Sequence, residues 1–207
     1  MNAPVIADRA VPPLIGELPP QCREDVDALR RVVHATLARE TPAEAVAPND
    51  FREVLLTGAT GFVGRFFLRE LLRQNDRLIV HCLVRAESAE HGFERLRGAL
   101  EQVEVWEEAF APRIRVVKGD SCEERFGLGE IEFDDLCERI DAVYHLAANV
   151  GLVLSYADLR EANALGLRSV LELCLRTRLK HLFYVSTMGV FPAYFCNFAR
   201  EYRRSRI

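Results

Sequence analysis

The chain has 207 residues, 49% of them hydrophobic, and a formal net charge of −4, which suits one sizeable core and a single globular domain. The acidic balance excludes a general polyanion-binding surface, and so a nucleic-acid partner, because such surfaces rest on a basic excess. No apolar run follows a basic start in "MNAPVIADRAVPPLIGELPP", so no secretory leader is expected.

In chain order, residues 1–50 read as a helical extension and linker. After a Pro-rich opening, "CREDVDALRRVVHATLARE" places Val26, Leu29, Val32, Val33 and Leu37 at helical spacing, and "TPAEAVAPND" follows as a tether. Helical apolar spacing predicts a helix packed on the main domain rather than one held free for a partner. From Phe51 onward, short β-branched runs alternate with longer helical patterns. The expected strands are "EVLLT", "RLIVHCLV", "RIRVVKG", "AVYHLAA" and "HLFYVS". Between them come helices from about Val63 to Gln74, after Glu87 and near "FDDLCERI", and one long helix through "YADLREANALGLRSVLELCLRTR". This alternation predicts an α/β, doubly wound parallel sheet with helices on both faces. Its strands lack polar alternation, as strands covered on both sides do.

The uncharged run "HLFYVSTMGVFPAYFCNF" approaches membrane-spanning length, but Ser186, Thr187, Pro192 and Asn197 interrupt it. A buried strand followed by a loop is expected there, and no membrane span. The six cysteines, at 22, 82, 122, 137, 174 and 196, show no metal-ligand spacing. They are expected to be buried free thiols in a reducing, cytoplasmic setting, with no metal.

The first strand runs into a helix through "TGATGFVG". Gly58 permits a sharp turn, Gly61 lets a phosphate approach the backbone, and Gly64 lets helix and strand pack closely. The positive end of the helix then faces the pyrophosphate of a dinucleotide. A nucleoside-triphosphate loop is excluded because Gly64 is followed by Arg65 and Phe66 rather than Lys and Ser or Thr. The second strand ends in "HCLVRAES", so Arg85 stands where an acid would meet the ribose of NAD, and it favours the phosphate of NADP. Arg95 is a second clamp if its helix folds back. After the third strand Asp120 either accepts from the adenine amino group or closes a turn. After the fourth, Ala147 and Ala148 leave room for a cofactor across the strand ends, or simply pack closely.

Taken in order, "LLTGATGFVGRFFLRELL", "CLVRAES", "RIRVVKGD", "DAVYHLAANV", "YADLREANALGL" and "YVSTMGVF" resemble the extended short-chain dehydrogenase/reductases. The nearer resemblance is to their thioester reductase branch, which includes the terminal reductases of nonribosomal peptide synthetases and carboxylic acid reductases and is related to fatty acyl-CoA reductases. The resemblance implies a Rossmann fold over residues 51–207, incomplete at the C-terminus. It implies NADPH held by Gly58, Thr60, Gly61, Phe62 and Gly64, with Arg85 and Arg95 near the 2′-phosphate, Asp120 and Ser121 near adenine, and Ala147 and Ala148 along the cofactor. Asn163 matches an asparagine that supports the site, and Thr187, with Ser186 beside it, matches the hydroxyl that binds the substrate carbonyl. The implied reaction is reduction of an acyl thioester, on a carrier protein or coenzyme A, to an aldehyde or alcohol.

The resemblance also implies a Y-x-x-x-K pair after Thr187. Tyr194 is followed four positions on by Phe198, and Tyr202 by Arg206, and arginine substitutes poorly for that lysine. The chain therefore reads as the front half of a reductase, with an open fifth strand prone to association. The alternatives are a non-catalytic dinucleotide-binding module or inactive fragment, or a sugar-nucleotide epimerase or dehydratase, with which Arg85 agrees less well.

Overall fold

The computed structural model describes residues 19–151 and 153–187. Five strands form one parallel sheet: β1 (Glu53–Thr57), β2 (Ile79–Val84), β3 (Ile114–Lys118), β4 (Ala142–His145) and β5 (His181–Tyr184), in the order β3-β2-β1-β4-β5. Helices α1 (Pro20–Arg39), α2 (Phe62–Gln74), α3 (Ala89–Glu101), α4 (Glu130–Arg139), α5 (Tyr156–Arg160) and α6 (Leu167–Leu175) complete it. Chain order reverses between β1 and β4, so the sheet carries a switch point where a crevice opens at the strand C-termini.

Alternate strand residues face opposite sides, and both sides are apolar. Val54, Leu56, Val80 and Cys82 pack with Leu68 and Leu72 of α2 and Leu96 and Leu100 of α3. Leu55, Leu83 and Val143 pack with Phe133 and Leu136 of α4 and Val170 and Leu173 of α6. This double burial is why the strand runs lack polar alternation.

The N-terminal helix lies against α6. Its fixing contacts are polar. Asp25, 2% exposed, accepts from Arg160 Nε at 2.8 Å and Nη2 at 2.6 Å and from the Tyr156 hydroxyl at 2.7 Å. The Arg160 guanidinium holds the Asp25 carboxyl below the usual carboxylate range; burial, and then Asp25, push the Tyr156 phenol up. The linker is stitched to the sheet as well, through an Ala43–Arg178 bridge and His181 Nε2 at 3.1 Å from the Val46 carbonyl.

Three expectations change. The single long helix is two, α5 and α6, joined by a π-helical turn at Glu161–Leu165 in which Gly166 N–H donates to Glu161 O, five residues back, at 2.8 Å. A Cβ at Gly166 would sit 2.8 Å from Ala162 O, so glycine lets the turn widen there. The fifth strand is not buried: Phe183 and Tyr184 are 41% and 45% exposed, because β5 is the sheet edge among the described residues. The thiols are free but not uniformly buried. Cys82, Cys137 and Cys174 are buried, Cys22 is half-buried, and Cys122 is exposed on the loop after β3; Cys196 lies outside the described residues. Among these residues no helix is long and apolar enough to cross a membrane.

Candidate cofactor-binding site

The chain from β1 into α2 turns at Gly58, whose φ of +72° only glycine adopts readily. A Cβ there would lie 2.7 Å from the Ala147 nitrogen, which shows how closely the β1 turn approaches the end of β4. Gly61 is the N-cap of α2 and supplies no side-chain cap, so the first-turn N–H groups face outward without that partner. A Cβ on Gly61 would meet only Gly58 O, at 3.1 Å, whereas one on Gly64 would collide with Gly58 O. Gly61 is thus open for a ligand and Gly64 is closed by packing.

A second lock joins the same two strands. Thr57 and His145 are buried, with Thr57 Oγ1 2.9 Å from His145 Nδ1. That hydroxyl also accepts from Leu146 N at 3.2 Å and Ala147 N at 3.1 Å. With its acceptor positions so filled, it donates to Nδ1, which fixes a neutral imidazole with its proton on Nε2. Burial alone depresses the His145 pKa to about 4, in agreement with that state. Its ring stacks on Tyr184 of β5 at 5.5 Å between centroids. The loop after β4 is then clasped by Asn163: Asn149 N–H donates to its Oδ1 at 2.7 Å, and its Nδ2 donates to Asn149 O at 2.8 Å.

Between these walls lies a cleft of about 480 Å³ at the strand C-termini. Gly58, Thr60, Gly61, Arg85, Arg95, Asp120, Ser121, Ala147 and Ala148 line it, together with Thr57, Cys122, Asn149 and Ala162. Helix α3 does fold back: Arg95 Nη1 donates to the Arg85 carbonyl at 2.6 Å. Arg85 is 71% exposed at its side chain, with Nη1 3.8 Å from Asp120 Oδ2. Asp120 Oδ1 accepts from Cys122 N at 3.0 Å, closing a turn, and Oδ2 faces Arg85. Phe62 points to solvent, 74% exposed, and Gly64 is buried; neither is among the cleft's lining residues. Ser186 and Thr187 are exposed just beyond β5, at the same end of the sheet but outside that lining. Tyr194, Tyr202 and Arg206 lie outside the described residues.

Sequence reading missed Thr57, His145 and Asn149. The first two look like ordinary buried strand positions, and only strand order makes them neighbours.

A turn of this shape beside a switch point, with an open glycine at an uncapped helix start, is the geometry of a dinucleotide site. A family model described as male sterility protein, an NAD-binding family, matches residues 56–205. The chain belongs to that family. It is 44% identical over 146 residues to a linear gramicidin synthase polypeptide of Brevibacillus parabrevis, covering 70% of this chain and 3% of that protein. To L-2-aminoadipate reductase of Schizosaccharomyces pombe it is 40% identical over 151 residues, 72% of this chain and 11% of the relative. Among solved structures, the terminal R domain of the myxalamid PKS-NRPS biosynthetic pathway matches at 42% identity with a TM-score of 0.70, over 81% of this chain and 43% of that one. The reductase domain of a non-ribosomal peptide synthetase from Mycobacterium tuberculosis matches at 34% identity and a TM-score of 0.66, over 80% and 40%. These two structures are reductase domains of peptide synthetases, and this chain spans less than half of each.

Proposed function

We propose that this chain is the cofactor-binding half of an NADPH-dependent reductase that converts an acyl thioester, carried on a carrier protein or coenzyme A, to an aldehyde. The observation that carries this reading is the cleft itself, where an uncapped glycine helix start meets two arginines across the strand ends. Likeness to synthetase reductase domains supports the thioester as substrate.

The residues fit the group. The Gly58–Gly61 turn and the first N–H groups of α2 would take the pyrophosphate. Arg85 would pair with the ribose phosphate, as guanidinium forks do, and Arg95 holds the backbone beneath it. Asp120 and Ser121 would bound the adenine side, and Ala147, Ala148 and Asn149 the nicotinamide side. NADPH held there would supply the hydride for the thioester carbonyl carbon, and breaking of the C–S bond in the resulting hemithioacetal would release the carrier or coenzyme thiol and the aldehyde. Thr187, with Ser186, would donate a hydrogen bond to the carbonyl oxygen as negative charge develops on it.

Calorimetric titration with NADPH and NADH tests the reading. Binding of NADPH in preference to NADH is expected; a folded chain that binds neither would remove it.

A further inference from the structure

We infer that Asp25, on the N-terminal helix, is a positioning residue for the cleft, acting through Arg160 on the Asn163–Asn149 clasp. The inference rests on the cofactor reading of that cleft. Asp25 is a carboxylate at 2% exposure, held by both arms of one guanidinium and by a phenol. Both partners belong to α5, 131 and 135 residues further along the chain.

The turn after α5 makes the contact consequential. Arg160 is the N-cap of that π-helical turn, and Asn163 stands within it. A π turn is held by fewer good i→i−4 bonds than regular helix and often marks a functional position, so its orientation depends on what anchors its ends. At one end the anchor is Asp25. At the other, Gly166 N–H bonds back to Glu161 O at 2.8 Å. Asn163 then fixes Asn149 by two hydrogen bonds, and Asn149 lines the cleft beside Ala148. The chain of contacts is continuous: a carboxylate, a guanidinium, the backbone of Glu161 and Ala162, an amide and the loop.

The adenine side of the cleft is carried mainly by the sheet, with one further tie to α6, where Ser169 Oγ donates to Glu123 O at 3.0 Å. There Arg85 and Asp120 are carried by β2, β3 and α3, and at the start of the loop after β4 Leu146 and Ala147 are held by Thr57 independently of the clasp. Loss of Asp25 is therefore expected to loosen Asn149, which the clasp holds, and to spare Leu146 and Ala147, which Thr57 holds, and the strand-borne Arg85. A general loss of fold does not do that.

The test uses the whole chain with Asp25→Ala, read in two ways. Amide hydrogen exchange at Asn149 should accelerate about tenfold or more, the scale of coupling through such contact chains, with Leu146 and Ala147 unchanged. Affinity for NADPH should fall about tenfold while affinity for the adenosine bisphosphate half of NADP stays within about twofold. Unchanged exchange at Asn149 in a folded variant, or equal loosening of Asn149 and Ala147, would overturn the inference. If Asp25→Ala does not fold, Arg160→Lys keeps the charge but removes the fork, and should give the same asymmetry at smaller size. Failure of the unaltered chain to bind either nucleotide would sink the cofactor reading, while exchange at Asn149 still decides whether Asp25 governs the loop.

Discussion

Thr57 Oγ1 lies 2.9 Å from His145 Nδ1 and, on its other side, accepts from the amides of Leu146 and Ala147. One hydroxyl thereby ties the end of β1 to the turn after β4, the two edges of the crevice. Thr57→Val keeps the shape but strands the Ala147 N–H and a ring nitrogen, while the Leu146 N–H keeps the Thr57 carbonyl at 3.3 Å. It should cost about 3 kcal/mol, since each buried orphan costs roughly 1–3 kcal/mol. Thr57→Ser should cost less than about 1 kcal/mol because the hydroxyl remains. Urea denaturation of the two variants decides between them.

Acid stability follows from the same pair. The usual histidine value of 6.5 falls to about 4 for His145 in the fold, so the unfolded chain takes up the proton first. Stability contributed by the neutral ring is complete above about pH 6.5 and declines as pH falls toward 4, by an amount on the order of 3 kcal/mol for one site. His81 is shifted the same way by burial and adds to the slope. His145→Gln should flatten the slope between pH 6.5 and 4 in denaturation series, and an unchanged slope would assign it to other groups.

Gly58 and Gly61 should separate folding from binding. Gly58→Ala forces a left-handed φ and a backbone collision, so it should lower stability by about 2 kcal/mol or more. Gly61→Ala keeps an ordinary φ and sets its Cβ 3.1 Å from Gly58 O, a contact the turn must ease by a few tenths of an ångström, so it should lower stability by less than Gly58→Ala does while abolishing nucleotide binding. A Gly61→Ala chain that binds NADPH normally would place the phosphates elsewhere.

Arg85 is exposed and directed at the cleft beside Asp120. Arg85→Glu should weaken NADPH by about tenfold or more, through loss of a charge-assisted pair and a new repulsion, and leave NADH within about twofold. Equal loss for both nucleotides, measured by calorimetry, would show that Arg85 shapes the wall rather than reading the phosphate.

Asn163→Asp keeps the oxygen that accepts from Asn149 N–H but removes the donor to Asn149 O. It should cost about 1 kcal/mol, the net worth of one hydrogen bond, and Asn163→Ala about twice that. The chemical shift of the Asn149 amide should move in Ala and persist in Asp.

The βα alternation, the position of all five strands within a few residues, and the glycine turn were legible in the amino-acid order alone. Those features are written in local periodicity and in residues whose backbone freedom is their signal, as at Gly58. Which strand lies beside which, and so which residues share the crevice, came from the packed fold. Thr57 and His145 are 88 residues apart and meet only because β4 crosses over to pair with β1. Local pattern also could not place Asp25 under Arg160, since a charged residue on an amphipathic helix reads as solvated until a partner from another element buries it. The π turn was hidden for the same reason: its residues have ordinary helical propensity, and the widening comes from packing that has no local signature.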